Sequence, residues 1–170
     1  MQGFLPHKLA QQILEIGPKV IARPLAIVPF AMKAELLKRI LGLLLSEQAE
    51  DDELSFLEGR WVAINIEDLG LTFEVTYDEC WHVRQLQGAE VTFTAQSKEL
   101  LLIAAAKEDP DTLFFQRKLC IEGDTELGLE VKNLLLSVEF DAMPAAIRVT
   151  IEKLAEALQT LQARAQPSFA

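Results

Sequence analysis

Residues 114–135, FFQRKLCIEGDTELGLEVKNLL, join a short strand-like run to a leucine-rich helix through a Gly-Asp pair. Leu119 and Ile121 alternate with polar neighbours, as in a strand with one buried face. Gly123 adopts turn conformations that other residues resist, and the Asp124 carboxylate is a favourable helix N-cap. The stretch therefore predicts a strand that turns directly into a helix.

The helix predicted after this turn has one apolar stripe at helical spacing. Its members are Leu127, Val131, Leu134, Leu135 and Val138. Leu129 and Leu136 fall off the stripe. Phe114 and Phe115 are adjacent, so they cannot both point into one small core from a strand. The region has more apolar side chains than one strand and one helix need.

Four more strands are predicted upstream of this unit. Residues 71–77, LTFEVTY, alternate apolar and polar side chains, so one face is buried and the other is wet. Further strands are predicted at 60–66, 80–85 and 90–95. Their short connections favour antiparallel pairing, and the YDE sequence at 77–79 suits a tight hairpin turn.

The start of the chain is predicted to form helices broken by proline. Residues 7–16 have an amphipathic helical pattern that Gly17-Pro18 should stop. Residues 20–30 are too rich in proline for a regular helix and too apolar for a free linker, so they should lie on an apolar surface. Residues 31–49 predict a strong helix, whose leucine stripe at 36–45 is wider than one core contact requires.

Two helices remain. Ser97 should cap a helix over 98–108 that is apolar nearly all round and therefore needs cover on more than one side. Asp109-Pro110 should end that helix, and Pro144 should begin the last one. The fold class predicted is α+β, with about five mostly antiparallel strands and helices on one face. We divide the chain into a helical arm at 1–45, a domain at 46–165 and a tail at 166–170.

Charge is distributed unevenly along the 170 residues. The net charge of −10 excludes nucleic acid as a partner, because phosphate binding needs a basic face. The arm nevertheless carries six Lys or Arg against two Glu. A basic apolar arm on an acidic body favours contact with an anionic membrane surface, although solvated faces of ordinary helices explain the same pattern. The membrane-contact candidates are Lys19, Arg23, Phe30, Lys33, Lys38 and Arg39.

The chain is expected to be cytoplasmic and to contact a membrane only peripherally. Its longest uncharged run is nine residues, against the ~20 that a spanning helix needs. The first 30 residues lack the pattern of a secretory signal. Cys80 and Cys120 are far apart and are predicted to be reduced, buried, small apolar residues.

No catalytic or metal-binding pattern is present, and no cofactor is implied. His7 and His82 lack a second histidine at metal-ligand spacing. Cys80 and His82 share a strand face, but no orienting third group or oxyanion hole is evident, so a small hydrolase-like or methyltransferase-like enzyme is the weakest alternative. The EGDTELG sequence at 122–128 is a turn with a helix cap, because its acidic residues would repel a phosphate.

The surplus of apolar side chains has two explanations. It can form a thick core with an interface to a second copy of the chain, or it can line a cavity for a lipid tail. Burying a 16-carbon chain is worth ~12 kcal/mol at ~0.8 kcal/mol per methylene, so binding would need no catalysis. Composition alone favours neither explanation over the other.

The strand and turn of the opening stretch resemble the sterol-carrier-protein family of lipid-binding domains. Its pattern G-x-L-x-I-x-G-D is matched by Leu119, Ile121, Gly123 and Asp124, while Arg117 stands in place of the first glycine. The likeness covers about residues 46–140 and implies a helix that lines an apolar tunnel.

Four segments also resemble bacterial accessory factors of oxygen-independent ubiquinone biosynthesis. They are GPKVIARPLAIVPFAMKAELL (17–37), LEGRWVAINIEDLGL (57–71), DPDTLFFQRKL (109–119) and EGDTELGLEVKNLL (122–135). The resemblance implies a non-catalytic protein that holds an isoprenoid quinone precursor or a phospholipid and presents it to ubiquinone-biosynthesis enzymes, including iron–sulfur hydroxylase-like proteins. A scaffold that docks partner enzymes through its arm without carrying lipid is the alternative.

The residues expected to line the cavity come from the strands and the central helices. They are Phe73, Val91, Phe93, Leu101, Ala105, Phe114, Phe115, Leu119, Ile121, Leu129 and Leu135.

Overall fold

The computed structural model describes residues 7–165, so the predicted tail at 166–170 and the first six residues lie outside it. The helices are α1 (His7–Ile27), α2 (Phe30–Leu44), α3 (Ser46–Glu50), α4 (Ser97–Ala104), α5 (Pro110–Phe115), α6 (Thr125–Ser137) and α7 (Ala145–Ala165). The strands are β1 (Val62–Ile66), β2 (Leu71–Asp78), β3 (Cys80–Arg84), β4 (Val91–Ala95) and β5 (Leu119–Gly123). The predicted α+β class and all five predicted strands are confirmed.

The strands form one sheet in the order β3-β2-β1-β4-β5. β1 and β4 are parallel, and the other three pairs are antiparallel. The predicted hairpin is confirmed, because Tyr77 pairs with Trp81 across a turn at Glu79. The mostly antiparallel pairing agrees with the short connections seen in the sequence.

The strand register gives the sheet one apolar and one polar face. Ile64 lies opposite Phe73 and Phe93, and Phe93 in turn lies opposite Ile121. The next row holds polar residues, with Asn65 opposite Thr72 and Thr94. Because successive side chains of a strand point to opposite faces, this register places the core on one side only.

Helices pack on the apolar face. α2 lies against β3, and α6 lies against β4 and β5. α1 packs along α7, which also contacts α4. The nearly all-apolar α4 is therefore covered on more than one side, as predicted: Leu102 packs with Ala155 of α7, and Leu100 joins the main core.

The sequence predicted a helix that stops at Gly17-Pro18 and an irregular segment at 20–30, and both predictions were wrong. α1 continues through Gly17-Pro18 and Pro24 to Ile27 rather than stopping at residue 16. Proline has a helical φ and costs the helix mainly one hydrogen bond and a steric conflict with the preceding turn. α1 packs along α7, and such tertiary contacts override local propensity. The break comes later, at Pro29, directly before α2.

Two local assignments also need correction. Ser97 is the first residue of α4 and not its cap; its backbone N–H and hydroxyl both donate to the Asp68 carboxylate, at 2.8 and 2.6 Å. Phe114 and Phe115 lie on a short helix, α5, that was not predicted from the sequence. Asp109 caps α5 by accepting the backbone N–H of Asp111, a signal that the sequence analysis treated only as the end of the preceding helix.

The turn between β5 and α6 is built as predicted. Asp124 caps α6 by accepting the Leu127 backbone N–H at 2.8 Å. Gly123 has a φ of +116°, and a Cβ there would lie 2.3 Å from the carbonyl oxygen of Glu90. Glycine is required at this position both for its backbone conformation and for the close approach of β4.

Candidate functional site

An apolar cavity of about 270 Å³ lies between the apolar face of the sheet and helices α2, α4 and α6. Every side chain that lines it is apolar. The sheet contributes Val62, Ile64, Ile66, Phe73, Val75 and Trp81. The helices and their flanks contribute Leu37, Ile40, Leu41, Leu44, Leu45, Leu57, Leu100, Ile103, Ala104, Val131, Leu134, Leu135, Val138 and Met143.

Local periodicity explains how the helices line the cavity. On α2, Leu37, Leu41 and Leu44 recur at spacings of four and three, which places them on one side of the helix. On α6, Val131 and Leu135 are also four residues apart. The two helices therefore present continuous apolar rows to the gap between them and the sheet.

The cavity is large for a protein interior. Interiors are close-packed, and few voids exceed the size of a water molecule. An engineered apolar cavity of about 150 Å³ stays dry and binds benzene, and ligand pockets generally begin near 300 Å³. At about 270 Å³ the cavity has room for part of a hydrocarbon chain.

Glu74 of β2 is a buried carboxylate on the opposite, polar face of the sheet. Glu74 is 0% exposed and receives the backbone N–H groups of Gln87, Gly88 and Ala89 at 2.8–2.9 Å. Arg84 donates to its other oxygen at 2.7 Å. Burial alone would raise the pKa of Glu74, but these hydrogen bonds outweigh it and hold the pKa below its ordinary value. The charge organises the loop after β3 and stays out of the cavity.

Of the residues predicted to line the cavity, the structure places Phe73 and Leu135 there. Val91, Phe93 and Leu119 are buried in the same core without bordering the cavity. They lie on β4 and β5, at the end of the sheet away from α2. The alternation of the strands identified their buried face but not which part of that face remains unfilled.

The other predicted lining residues lie elsewhere. Phe114, Ile121 and Leu129 border a separate open groove of about 150 Å³ beside the start of α6. Ala105 is buried in a small cluster against α7, and Leu101 is half-buried without bordering the cavity. Phe115 is 81% exposed. These six do not line one cavity as expected. Phe114 and Phe115 are turned outward on α5, Ile121 and Leu129 lie at the groove beside α6, and Leu101 and Ala105 lie in and directly after α4, away from the cavity.

α2 makes a contribution to the cavity that was not predicted from the sequence. Leu37, Ile40, Leu41 and Leu44 border the cavity, although the helix was assigned to an arm outside the domain. The unusual width of the leucine stripe at 36–45 was the available signal. α2 covers the cavity with one side and exposes a second apolar row to solvent. That row consists of Met32, Leu36 and Leu43, and Ile40 lies at its edge, partly exposed and also bordering the cavity.

The predicted membrane-contact residues divide into two groups. Lys19 and Arg23 on α1 and Arg39 on α2 are exposed. Lys38 forms an ion pair with Glu35 at 2.8 Å. Phe30 and Lys33 are half-buried, and Phe30 packs against the main core. No helix within residues 7–165 combines the length and hydropathy needed to cross a bilayer.

The cysteines are free but exposed, so the prediction that they are buried was wrong. Cys80 pairs with Asp78, and Cys120 pairs with Thr94, which places both on the polar face of the sheet. The Cys80 Sγ lies 3.5 Å from the His82 Nε2. Among the described residues no cluster of three potential ligands could hold a metal ion.

The structure is thus a five-stranded sheet with helices that cover a purely apolar cavity on one of its faces. The chain belongs to the SCP-2 sterol transfer family, whose model matches residues 37–136. The match begins within α2, in agreement with the role of that helix in covering the cavity.

Curated relatives narrow the family. The chain is 45% identical over 150 residues to the "Ubiquinone biosynthesis accessory factor UbiT" of Escherichia coli K12, covering 88% of this chain and 86% of that protein. The same values hold for the UbiT of Escherichia coli O157:H7. A solved structure described as "UbiJ-SCP2 Ubiquinone synthesis protein" has a TM-score of 0.52 at 18% identity, covering 65% of this chain and all of that one, which supports the fold. Accessory factors of this kind carry a lipid-transfer domain and are not a catalytic family.

Proposed function

We propose that the chain holds the isoprenoid tail of a ubiquinone precursor, or an acyl chain of a phospholipid, in the cavity beneath α2. The head of the lipid would remain accessible to ubiquinone-biosynthesis enzymes, including iron–sulfur hydroxylase-like proteins. The supporting observation is an apolar cavity of about 270 Å³ in a relative of accessory factors for ubiquinone biosynthesis.

The mechanism is one of solvation. A polyprenyl chain in water costs free energy in proportion to its exposed apolar area, about 25 cal/mol per Å². A cavity without a single charged lining residue removes that cost and offers no nucleophile or acid to the bound molecule. The protein would therefore change where the lipid is reachable, and partner enzymes would supply the chemistry.

The arm would bring this carrier to the membrane. The exposed cations Lys19, Arg23 and Arg39 and the exposed apolar row on α2 suit an anionic bilayer surface. The association would be peripheral and on the cytoplasmic side of the inner membrane. The resemblance of the arm to factors of oxygen-independent ubiquinone biosynthesis supports a role in that branch of the pathway.

Two neighbouring substitutions test the carrier role. Leu135 borders the cavity, whereas Leu136 on the same helix is exposed. We expect Leu135→Trp to fill the cavity and remove co-purifying lipid, and Leu136→Trp to retain it. Native mass spectrometry of protein from the native cell, followed by lipid extraction, gives the bound species.

The same measurement separates the carrier from a scaffold. Wild-type protein that is free of lipid and forms a defined oligomer would support docking without lipid transport. Equal lipid content in both tryptophan variants would place the ligand outside this cavity. Quinone content of deletion strains, grown with and without oxygen and complemented with each variant, tests the assignment to the oxygen-independent branch.

A further inference from the structure

A second cleft, of about 590 Å³, opens beside the apolar cavity. It lies between the junction of α1 and α2, the turn from β1 to β2, and the loop after β3. Its lining includes Phe30 and Lys33 of α2, Leu71 and Thr72 of β2, and Gln85 from the loop after β3. The cleft is open to solvent on its outer side.

The cleft and the cavity are neighbours along the same two elements. Leu71 borders the cleft, and its register partner Ile66 borders the cavity. On α2, Lys33 borders the cleft, and Leu37, about one turn later, borders the cavity. The cleft therefore adjoins one end of the groove that α2 forms with the sheet, and we call it the mouth of that groove.

The mouth has a single charge, and it is positive. Lys33 is the one charged residue of the cleft lining. Within residues 7–165 it has no carboxylate at ion-pair distance, whereas Lys38 on the same helix is paired with Glu35. An unpaired, half-buried lysine at the mouth of an apolar cavity is unusual in a chain of net charge −10.

The polar surroundings suit an anion. α2 begins at Phe30, and no side chain caps it. The first backbone N–H groups of the helix therefore lie at the end of α2 that borders the cleft. The partial positive charge of a helix N-terminus adds to that of Lys33. Gln85 borders the same cleft and can supply a further hydrogen bond, whereas the Thr72 hydroxyl already donates to the Oδ1 of Asn65 at 2.9 Å.

We propose that this cleft is the headgroup site and that Lys33 binds the anionic group, a carboxylate or a phosphate, of the amphiphile whose tail occupies the cavity. The inference rests on the proposed function. The distance along α2 from Lys33 to Leu44, the last cavity residue of that helix, is roughly 16 Å at 1.5 Å per residue. An amphiphile in this position keeps its head at the open mouth while its chain passes under α2.

Matched amphiphiles test the headgroup site on the full chain. The probes are 4-hexadecyloxybenzoate and 1-palmitoyl lysophosphatidate, which carry a carboxylate and a phosphate, and the uncharged 4-hexadecyloxybenzamide. Affinities are measured by titration for the wild type, Lys33→Met, Lys33→Arg and the control Lys38→Met, which lies outside the cleft.

We expect the wild type to bind at least one anionic probe about tenfold more tightly than the amide, as charge-assisted hydrogen bonds allow. Lys33→Met should remove this preference without weakening amide binding, while Lys33→Arg and Lys38→Met retain it. The preferred anion identifies the carboxylate or the phosphate as the natural group.

Three results would overturn the inference. They are equal binding of charged and uncharged probes by the wild type, a preference that survives in Lys33→Met, and a Lys33→Met variant that loses all probes equally. In each of these the carrier role stands, because a tail is still bound by the wild type. Failure of the wild type to bind any of the probes would instead contradict the carrier role itself.

Discussion

Trp81 of β3 packs beneath Gly42 of α2, with its Cδ1 4.0 Å from the position that a Cβ on residue 42 would occupy. Trp81 borders the cavity, and Gly42 lies on the helix that covers it. This contact places the indole ring against α2 at one end of the cavity.

Replacing Gly42 by alanine should stabilise the protein. A separation of 4.0 Å is an ordinary van der Waals contact, so a methyl group fits without moving Trp81. Alanine favours a helix over glycine by about 0.5–1 kcal/mol. Urea unfolding should show this gain with an unchanged slope; a loss of stability would mean that α2 must rise to admit the methyl group.

The Glu74→Gln variant should be less stable than the wild type at neutral pH, and its free energy of unfolding should depend less on pH. Because hydrogen bonds hold the folded-state pKa of Glu74 below its ordinary value of 4.5, its stabilisation is complete above that pH and is lost as the pH falls through the lower folded-state value. At pH 7 the variant should be less stable by about 1–3 kcal/mol, the value of hydrogen bonds to a charged group.

Urea midpoints measured between pH 7 and pH 2 provide the check. The gap between wild type and Glu74→Gln should narrow below pH 4.5. A difference in urea midpoint that stays constant over this range would show that the charge of Glu74 does not contribute to stability.

The Glu99→Gln variant should behave in the opposite way. Glu99 is 4% exposed, its Oε2 lacks a hydrogen-bond partner among the described residues, and burial raises its pKa. A raised pKa means that stability falls as the pH rises from the ordinary value of 4.5 towards the higher folded-state value, and the full loss is present above it. The variant should be more stable than wild type at pH 7 and equal to it below pH 4.5. A destabilised variant at pH 7 would instead indicate that the ion pair with Lys98, at 3.8 Å, matters more than burial.

Alanine substitutions at two glycines separate backbone strain from steric conflict. Gly59 has a φ of +72° with open space around a Cβ, so Gly59→Ala should cost about 1–2 kcal/mol. Gly123→Ala adds an overlap with the Glu90 carbonyl and should cost clearly more. Equal unfolding free energies for the two variants would show that β4 moves freely away from the turn before α6.

The arm is tested by charge and by apolar surface separately. Arg23→Glu with Arg39→Glu, and in a second protein Met32→Gln with Leu36→Gln, should each reduce co-sedimentation with anionic vesicles. Each cation near such a surface contributes about 1 kcal/mol to the free energy of binding, and added salt should weaken this electrostatic contribution. Val149→Gln with Leu154→Gln, exposed apolar residues of α7, is the control and should bind as wild type does. Unchanged sedimentation of all variants would exclude membrane contact through the arm.

Much of the sheet was predictable because its signals are local. Alternation in residues 71–77 identified β2 and its buried face, and Gly123-Asp124 identified the turn and cap before α6. Helix α1 was not predictable in the same way, since Pro18 and Pro24 argue against it and only its packing along α7 favours it.

The sequence by itself determined the five strands, the two faces of the sheet and the family, because each of these depends on the order of side chains within short segments. The tertiary structure alone decided where the empty volume lies. A cavity is a gap between elements, and its position depends on how close α2, α4 and α6 approach the sheet and on the side chains that fail to meet there. For that reason Phe73 and Leu135 border the cavity, while Phe93, equally apolar and equally well placed on its strand, is packed solidly beside it.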